Sequence, residues 1–173
     1  MSGFDLDKAI RRVPDFPKPG ILFYDITSIF TQPEAFSFCI EAMCERYKGM
    51  NIDAIAGVES RGFLFAAPLA ERLHLPLLLI RKKGKLPGEK YTCSYSLEYG
   101  TATIEAHKAD IHQGKRYLVV DDLIATGGTL RAAQSLIEQG GGTVSEFFAI
   151  IGLSEFPYAK GLSPIPVTTL IQY

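Results

Sequence analysis

Residues 121–129 of the chain have the sequence DDLIATGGT, and they separate two segments of different pattern. The apolar run before them, at 117–120, predicts a buried strand, and residues 130–139 after them predict a helix. A helix N-terminus presents unpaired N–H groups and a partial positive charge, which favour an anion. The two glycines of the segment let the backbone approach that anion, and its two threonines add hydroxyl donors. The segment therefore predicts an anion site between a strand and a helix.

Two adjacent carboxylates, Asp121 and Asp122, begin this segment. Carboxylates repel an anion, so these two are suited to bind groups next to the anion: a pair of hydroxyl groups, or a metal ion that bridges to such hydroxyl groups. A phosphorylated sugar carries a phosphate and hydroxyl groups together, and the pattern predicts a site for one. The nucleotide-binding loops GxxxxGK[ST] and GxGxxG after a strand are both absent. A Gly-Gly pair alone would indicate no more than a turn, so the prediction depends on the whole order of strand, carboxylates, loop and helix.

The composition is typical of a globular chain with a single domain, 1–173. Of its 173 residues 47% are hydrophobic and 21% charged, and the formal net charge is −1. This balance argues against a nucleic-acid partner or a membrane surface as partner. The three cysteines form no C-x-x-C pair, and neither an export signal nor an apolar stretch of transmembrane length is visible. We therefore predict a cytoplasmic location in a reducing compartment.

Strand-like and helix-like segments alternate from residue 52 onward. Near-continuous apolar strands between helices predict an α/β fold with a mostly parallel central sheet and helices on both faces. The predicted strands are 52–58, 75–80, 101–107, 117–120, 144–153 and 167–172, and the predicted helices include 5–12, 62–73 and 130–139. Residues 14–24 are rich in proline and are predicted to form an ordered loop. Ligands on such sheets bind at the carboxyl ends of the strands, so the loops after Val58, Ile80 and Val120 are expected to converge.

The first two of these loops carry basic residues. The loop at 59–62 (ESRG) joins a strand to a helix, and Arg61 adds a planar guanidinium suited to phosphate. The loop after Ile80 begins with four cations: Arg81, Lys82, Lys83 and Lys85. A run of cations is usually a solvated face, but this one follows a buried strand, where a polyanionic substrate needs counter-charge. The glycines and proline that follow suit a mobile lid over about residues 81–100.

Four segments of the chain resemble the type I phosphoribosyltransferases. The sequence VVDDLIATGGT at 119–129 is similar to that family's signature for phosphoribosyl pyrophosphate. Three others resemble its adenine-specific branch: FPKPGILFYDI at 16–26, ESRGFLF at 59–65, and RKKGKLPG at 81–88 with YSLEYG at 95–100. The resemblance extends from about Val13 to Tyr173. The signature alone marks only the superfamily, and the four segments in order are much more specific.

The resemblance implies a role for each segment. The phosphate and ribose of 5-phosphoribosyl 1-pyrophosphate are expected at Asp121, Asp122, Ala125, Thr126, Gly127, Gly128 and Thr129. The pyrophosphate is expected at Glu59, Ser60, Arg61, Arg81, Lys82 and Lys85, and adenine at Leu22, Phe23 and Tyr24 in a hood of about residues 1–34. The expected catalytic residues are Glu98, which would exchange a proton with the purine ring, together with Asp121 and Asp122.

Main-chain groups are expected to recognise the base. Adenine presents an N6 amino donor beside the N1 acceptor, and hypoxanthine reverses both polarities, which would leave buried groups unpaired. The resemblance assigns these contacts to the main chain of Leu22 and Tyr24 and stacks Phe23 on the base, although a core position for Phe23 fits the sequence equally well. Tyr24 stands where some relatives have arginine, so only a main-chain role is carried over to it.

The implied reaction transfers the phosphoribosyl group to adenine and gives AMP and pyrophosphate. Mg²⁺ is expected to bind through substrate oxygens, and no Cys/His cluster indicates zinc. A homodimer is implied by the resemblance alone. Two alternatives stay open at this point: a phosphoribosyltransferase for another base such as hypoxanthine or xanthine, and a non-catalytic regulator on the same fold.

Overall fold

The computed structural model describes residues 4–97 and 100–173. Within it the chain divides into two compact units, Met1–Arg46 and Tyr47–Tyr173. The predicted catalytic residue Glu98 lies outside the described residues.

The first unit contains a small antiparallel sheet that the sequence analysis did not predict. Its elements are α1 (Leu6–Ala9), β1 (Arg11–Pro14), β2 (Leu22–Asp25), α2 (Thr27–Phe30) and α3, which runs over Pro33–Tyr47. The helix predicted over 5–12 is therefore wrong beyond Ala9, and the loop predicted over 14–24 is wrong at its end. Tertiary contacts override the local pattern here: the Arg11 backbone N–H donates to Ser28 Oγ at 2.9 Å, and its guanidinium pairs with Asp25 at 3.0 Å.

The second unit is built on one seven-stranded sheet with the order β5-β6-β4-β3-β7-β8-β9. The strands are β3 (Ala54–Val58), β4 (Leu77–Lys82), β5 (Lys90–Leu97), β6 (Gly100–His107), β7 (Arg116–Ile124), β8 (Thr143–Gly152) and β9 (Val167–Gln172). The helices are α4 (Gly62–Leu73), α5 (Gly128–Gln139) and α6 (Tyr158–Leu162), and a 3₁₀ turn spans Lys108–Asp110. Strands β4, β3, β7, β8 and β9 run parallel, and β6 and β5 add an antiparallel edge. The prediction of a mostly parallel sheet is confirmed.

Helices cover both faces of this sheet. A Cβ on Gly57 of β3 would lie 2.8 Å from Ala66 Cβ, so α4 packs on the face to which Gly57 points. The neighbouring Ala56 belongs to the buried cluster that contains Leu130 and Ala133 of α5. Because successive residues of a strand point to opposite faces, α4 and α5 lie on opposite sides of the sheet.

The segment predicted as a long lid, 81–100, is partly regular structure. Strand β4 continues through Lys82, and β5 pairs with β6 in a hairpin. The turn between β4 and β5 is tied to the buried Glu105 of β6, whose Oε2 accepts from the Gly84 N–H at 3.1 Å and lies 3.7 Å from Lys90 Nζ. Motion of this segment stays a prediction.

Candidate active site

The two predicted carboxylates lie at the carboxyl end of β7. The sequence analysis ended that strand at Val120, but β7 continues to Ile124 because Leu123 and Ile124 pair with β8. Asp121 and Asp122 are consequently strand residues, not loop residues, and both are buried. A strand holds their side chains more rigidly than a loop would.

The loop at 59–62 meets these carboxylates, as predicted. Arg61 Nε donates to Asp122 Oδ2 at 2.5 Å. A Cβ on Gly62 would lie 3.1 Å from Asp121 Oδ1 and 2.8 Å from the carbonyl oxygen of Val120, so α4 begins in close contact with β7. Two strand-to-helix loops therefore converge on one pair of carboxylates.

The electrostatics of the pair favour a proton or a cation at Asp121. Burial, and after it the nearby charge of Asp122, raise the pKa of Asp121 well above its ordinary value of 3.8. The Asp122 backbone N–H donates to Asp121 Oδ1 at 2.8 Å and partly offsets this rise in pKa. The negative charge of this pair is thus incompletely balanced within the protein, which suits a positively charged or hydroxyl-bearing ligand.

The predicted phosphate loop leads from β7 into α5. Gly127 has a φ of +83°, a backbone conformation that requires glycine, and Leu162 of α6 would lie 3.2 Å from a Cβ there. Gly128 is the first helical residue and has no such requirement. The amides of the first turn of α5 have no acceptor within the helix, and Thr126 and Thr129 flank this turn with hydroxyl groups.

The loop after β4 is attached to the loop at 59–62 by an ion pair. Arg81 donates to the Glu59 carboxylate from Nε at 3.3 Å and from Nη2 at 3.2 Å, and the Lys82 backbone N–H donates to Glu59 Oε2 at 2.7 Å. The hydrogen bonds from Arg81 lower the pKa of Glu59. The other predicted cations, Lys82, Lys83 and Lys85, are exposed. Sequence reasoning assigned both Glu59 and Arg81 to pyrophosphate and missed that they bind each other, since 22 positions separate them and no local pattern marks the pair.

The residues predicted to bind the base lie in the first unit. Leu22 and Phe23 have exposed fractions of 43% and 36%, so Phe23 is not a core residue. Its ring contacts Phe16 edge to face, with 5.1 Å between the centroids, and the Arg12 guanidinium lies 5.9 Å from the centroid of the Tyr24 ring. All three residues lie on β2, an edge strand, whose main chain can pair with an extended or planar ligand.

Replacing Gly62 by alanine is expected to lower the free energy of unfolding by about 1–3 kcal/mol, because backbone atoms of Val120 and Asp121 occupy the space of the new Cβ. Gly161→Ala in α6 is the matched control, since nothing lies within 4 Å of its Cβ position. Denaturant unfolding of both variants measures the difference. Equal stability of the two variants would show that α4 and β7 are not in close contact.

The chain is similar to known proteins in both sequence and fold. The model of the phosphoribosyl transferase domain family matches residues 25–152. An adenine phosphoribosyltransferase of Treponema denticola is 58% identical over 168 residues, which are 97% of this chain and 88% of that protein. The crystal structure of adenine phosphoribosyltransferase from Thermoanaerobacter pseudethanolicus has a TM-score of 0.92 at 42% identity and covers 97% of this chain and 98% of its own.

A third relative has been solved with ligands. The adenine phosphoribosyltransferase of Saccharomyces cerevisiae, complexed with an imino-altritol bisphosphate and adenine, has a TM-score of 0.89 at 39% identity over 96% of each chain. The resemblance inferred from the four sequence segments is confirmed. The chain belongs to the phosphoribosyltransferase family and, within it, to the adenine phosphoribosyltransferases.

Proposed function

We propose that the chain transfers the 5-phosphoribosyl group from 5-phosphoribosyl 1-pyrophosphate to adenine. A bond forms between adenine N9 and C1 of the ribose, the bond from C1 to the pyrophosphate oxygen breaks, and the products are AMP and pyrophosphate. The observation that carries the proposal is the contact of Arg61 with Asp122 at the carboxyl edge of the sheet, one loop away from the N-terminus of α5. This arrangement offers a cation, two carboxylates and a phosphate cradle to one ligand.

The 5′-phosphate is proposed to bind the loop from Ala125 to Thr129, where amides and hydroxyls donate and no carboxylate intervenes. With the phosphate in this position, the ribose hydroxyls are proposed to donate hydrogen bonds to Asp121 and Asp122. The transition state resembles an oxocarbenium ion, as in glycoside hydrolysis, and buried carboxylates lower the free energy of the developing positive charge. Catalysis consists chiefly of positioning and charge stabilisation, so no protein nucleophile is required.

The pyrophosphate is proposed to leave toward the basic residues. Arg61 contacts the carboxylate of Asp122, and Ser60 precedes it in the same strand-to-helix loop. Glu59 is better suited to hold Arg81 in place than to meet an anion, since its own charge repels pyrophosphate. The exposed Lys82 and Lys85 supply further positive charge beside Arg81.

The base is proposed to bind the first unit. Leu22 and Tyr24 are two residues apart on β2, so their main-chain groups point to the same side and can meet the N1 and N6 edge of adenine together. The exposed ring of Phe23 is available for stacking, which contributes roughly 1–3 kcal/mol per base. Glu98 keeps its proposed role as the group that exchanges a proton with a purine ring nitrogen.

The site suits a Mg²⁺ ion that arrives bound to 5-phosphoribosyl 1-pyrophosphate. Across residues 4–97 and 100–173 no three His, Cys, Asp or Glu side chains come together to form a metal cage. Asp121 and Asp122 nevertheless supply hard oxygen donors, and they would help to hold a Mg²⁺ ion that is bound chiefly through its substrate. When bound, the ion neutralises charge on the leaving group.

We also propose a homodimer, from the family resemblance, and a cytoplasmic location. None of Cys39, Cys44 and Cys93 forms a disulfide bond, which fits a reducing compartment. In the described part of the chain no helix has the length and apolar character to span a bilayer.

Incubation of the purified chain with 5-phosphoribosyl 1-pyrophosphate, Mg²⁺ and a panel of free bases is expected to release pyrophosphate with adenine and not with hypoxanthine, xanthine or orotate. The reason is the donor and acceptor order of the adenine edge, which the other bases do not share. Coupled detection of pyrophosphate and chromatographic detection of AMP measure the reaction. Product with hypoxanthine and none with adenine would refute the proposed substrate.

A further inference from the structure

Strand β5 lies along helix α5, with one tyrosine at each end of the helix. Tyr91, Cys93 and Tyr95 alternate along β5, and all three pack against the buried cluster that contains α5. At the C-terminal end of α5, Tyr91 Cε2 lies 3.2 Å from the Cβ position of Gly140. At the N-terminal end, the Thr129 hydroxyl donates to the phenol oxygen of Tyr95 at 3.1 Å. The helix terminus proposed to bind phosphate is therefore in contact with β5 as well as with β7.

The contact to Tyr95 constrains the hydroxyl of Thr129. A threonine in a helix divides between two χ1 rotamers, because its hydroxyl can also bond the carbonyl one turn earlier. Thr129 donates to the phenol of Tyr95, a half-buried side chain on a sheet strand, and this hydrogen bond selects one orientation of the hydroxyl before any ligand arrives. Preorganisation of this kind saves the free energy of ordering the group on binding.

The hydrogen bond between Thr129 and Tyr95 is expected to reverse its direction when a phosphate binds. A phosphate dianion has only acceptor oxygens, so Thr129 must donate to it and release its present acceptor. Each hydroxyl can donate once and also accept, so the phenol O–H of Tyr95 then donates to Thr129 Oγ1 in return. Hydrogen bonds in such a chain strengthen one another, since each polarises the next.

We propose that Tyr95 is a positioning residue for the 5′-phosphate: its phenol holds the Thr129 hydroxyl toward the phosphate and donates to it in the bound state. The inference rests on the proposed role of the loop from Ala125 to Thr129. Tyr95 does not touch the substrate, and its effect is confined to ligands that carry the phosphate.

The test compares Tyr95→Phe, Thr129→Val and the double variant in calorimetric titrations with AMP and with adenosine. Tyr95→Phe is expected to weaken AMP roughly three- to tenfold, the effect of one hydrogen bond, and to leave adenosine unchanged. In the Thr129→Val background the same change should have no further effect on AMP, because the bond is already gone. Tyr91→Phe is the matched control, on the same face of β5 and at the other end of α5, and is expected to leave both affinities unchanged.

The possible failures are distinguishable. Loss of AMP affinity in Thr129→Val without loss in Tyr95→Phe would overturn the role of Tyr95 and leave the proposed phosphate site intact. Equal weakening of AMP and adenosine by Tyr95→Phe, or additive losses in the double variant, would reduce Tyr95 to a packing residue and overturn the proposal. An unchanged AMP affinity in Thr129→Val would overturn the phosphate contact of Thr129 and the inference with it.

Discussion

Replacing both Asp121 and Asp122 by asparagine is expected to lower kcat about 10³-fold, with little change in the KM for 5-phosphoribosyl 1-pyrophosphate. Asparagine has nearly the same shape as aspartate and keeps one carbonyl oxygen, so the ribose hydroxyls still find acceptors. The substitution removes the negative charge that stabilises the oxocarbenium-like transition state. Because that charge acts mainly as the ring becomes cationic, its loss is expressed in turnover and not in binding. Steady-state pyrophosphate release gives both constants.

The double variant should fold, because Asp121 carries its charge at a cost to stability. Its pKa is raised, chiefly by burial, so the folded state binds a proton more tightly than the unfolded state does. A group of this kind stabilises the fold below its unfolded pKa, and the stabilisation is lost as the pH rises through the folded pKa. From about pH 4 upward the free energy of unfolding of the wild type should therefore decrease through this group, and Asp121→Asn should remove that dependence.

The control for this prediction is a buried carboxylate outside the site. Glu146 of β8 is buried and accepts a hydrogen bond from Tyr47 Oη at 3.0 Å. Glu146→Gln replaces a buried carboxyl group in the same sheet by an amide and is expected to leave kcat unchanged. The proposed catalytic role of Asp121 and Asp122 would be wrong if the double variant kept the wild-type kcat, or if Glu146→Gln lowered kcat by as much as the double variant.

The parts of this site that the sequence predicted are those determined within one short segment. The phosphate loop needed only the order of a strand, a glycine with positive φ and a helix start, and Gly127 has that backbone conformation. The end of β7 was predicted too early, because the apolar run stops at Val120, whereas pairing with β8 continues the strand through both aspartates. Local pattern does not report the partner strand that decides such a boundary.

The sequence predicted that the loops converge, but not which of their residues pair with each other. Arg61 and Asp122 are 61 positions apart, and neither residue's neighbours indicate the other. The pairing of β1 with β2 and the antiparallel edge formed by β6 and β5 are likewise determined by tertiary contacts. Prolines, glycines and charged residues weaken the alternation of apolar residues in these segments. The positions of the loops at the carboxyl edge of the sheet were predictable, whereas the mutual pairing of the charged residues required the fold.

Replacing Arg61 by alanine is expected to lower kcat/KM for the sugar pyrophosphate about 10²-fold, while the KM for adenine changes by less than about threefold. Arg61 is in direct contact with Asp122, one of the two carboxylates proposed to be catalytic, and it is itself proposed to bind the leaving group. Steady-state kinetics with each substrate varied in turn separate the two effects. Arg61→Lys should fall between alanine and the wild type, since an ammonium keeps the charge without the planar pair of donors.

The controls for Arg61 test position as well as charge. Arg72 lies in the last turn of α4, the helix that begins directly after Arg61. Its side chain is exposed and carries the same charge as Arg61. Arg72→Ala should leave both kinetic constants at wild-type values. An equal loss of affinity for adenine and for the sugar pyrophosphate in Arg61→Ala would contradict the assignment of Arg61 to pyrophosphate.

Part of the loss in Arg61→Ala should come from Asp122 and not from the missing contact to pyrophosphate. Without the guanidinium, the buried Asp122 carboxylate loses its neighbouring cation and repels an incoming polyanion more strongly. Adding Asp122→Asn to Arg61→Ala should therefore restore some of the affinity for the sugar pyrophosphate, although turnover falls further because a catalytic charge is gone. Calorimetric titration of the two variants with 5-phosphoribosyl 1-pyrophosphate measures this directly. If the double variant bound the substrate more weakly than Arg61→Ala alone, Asp122 would contribute attraction to the bound ligand, and the repulsion argued here would be wrong.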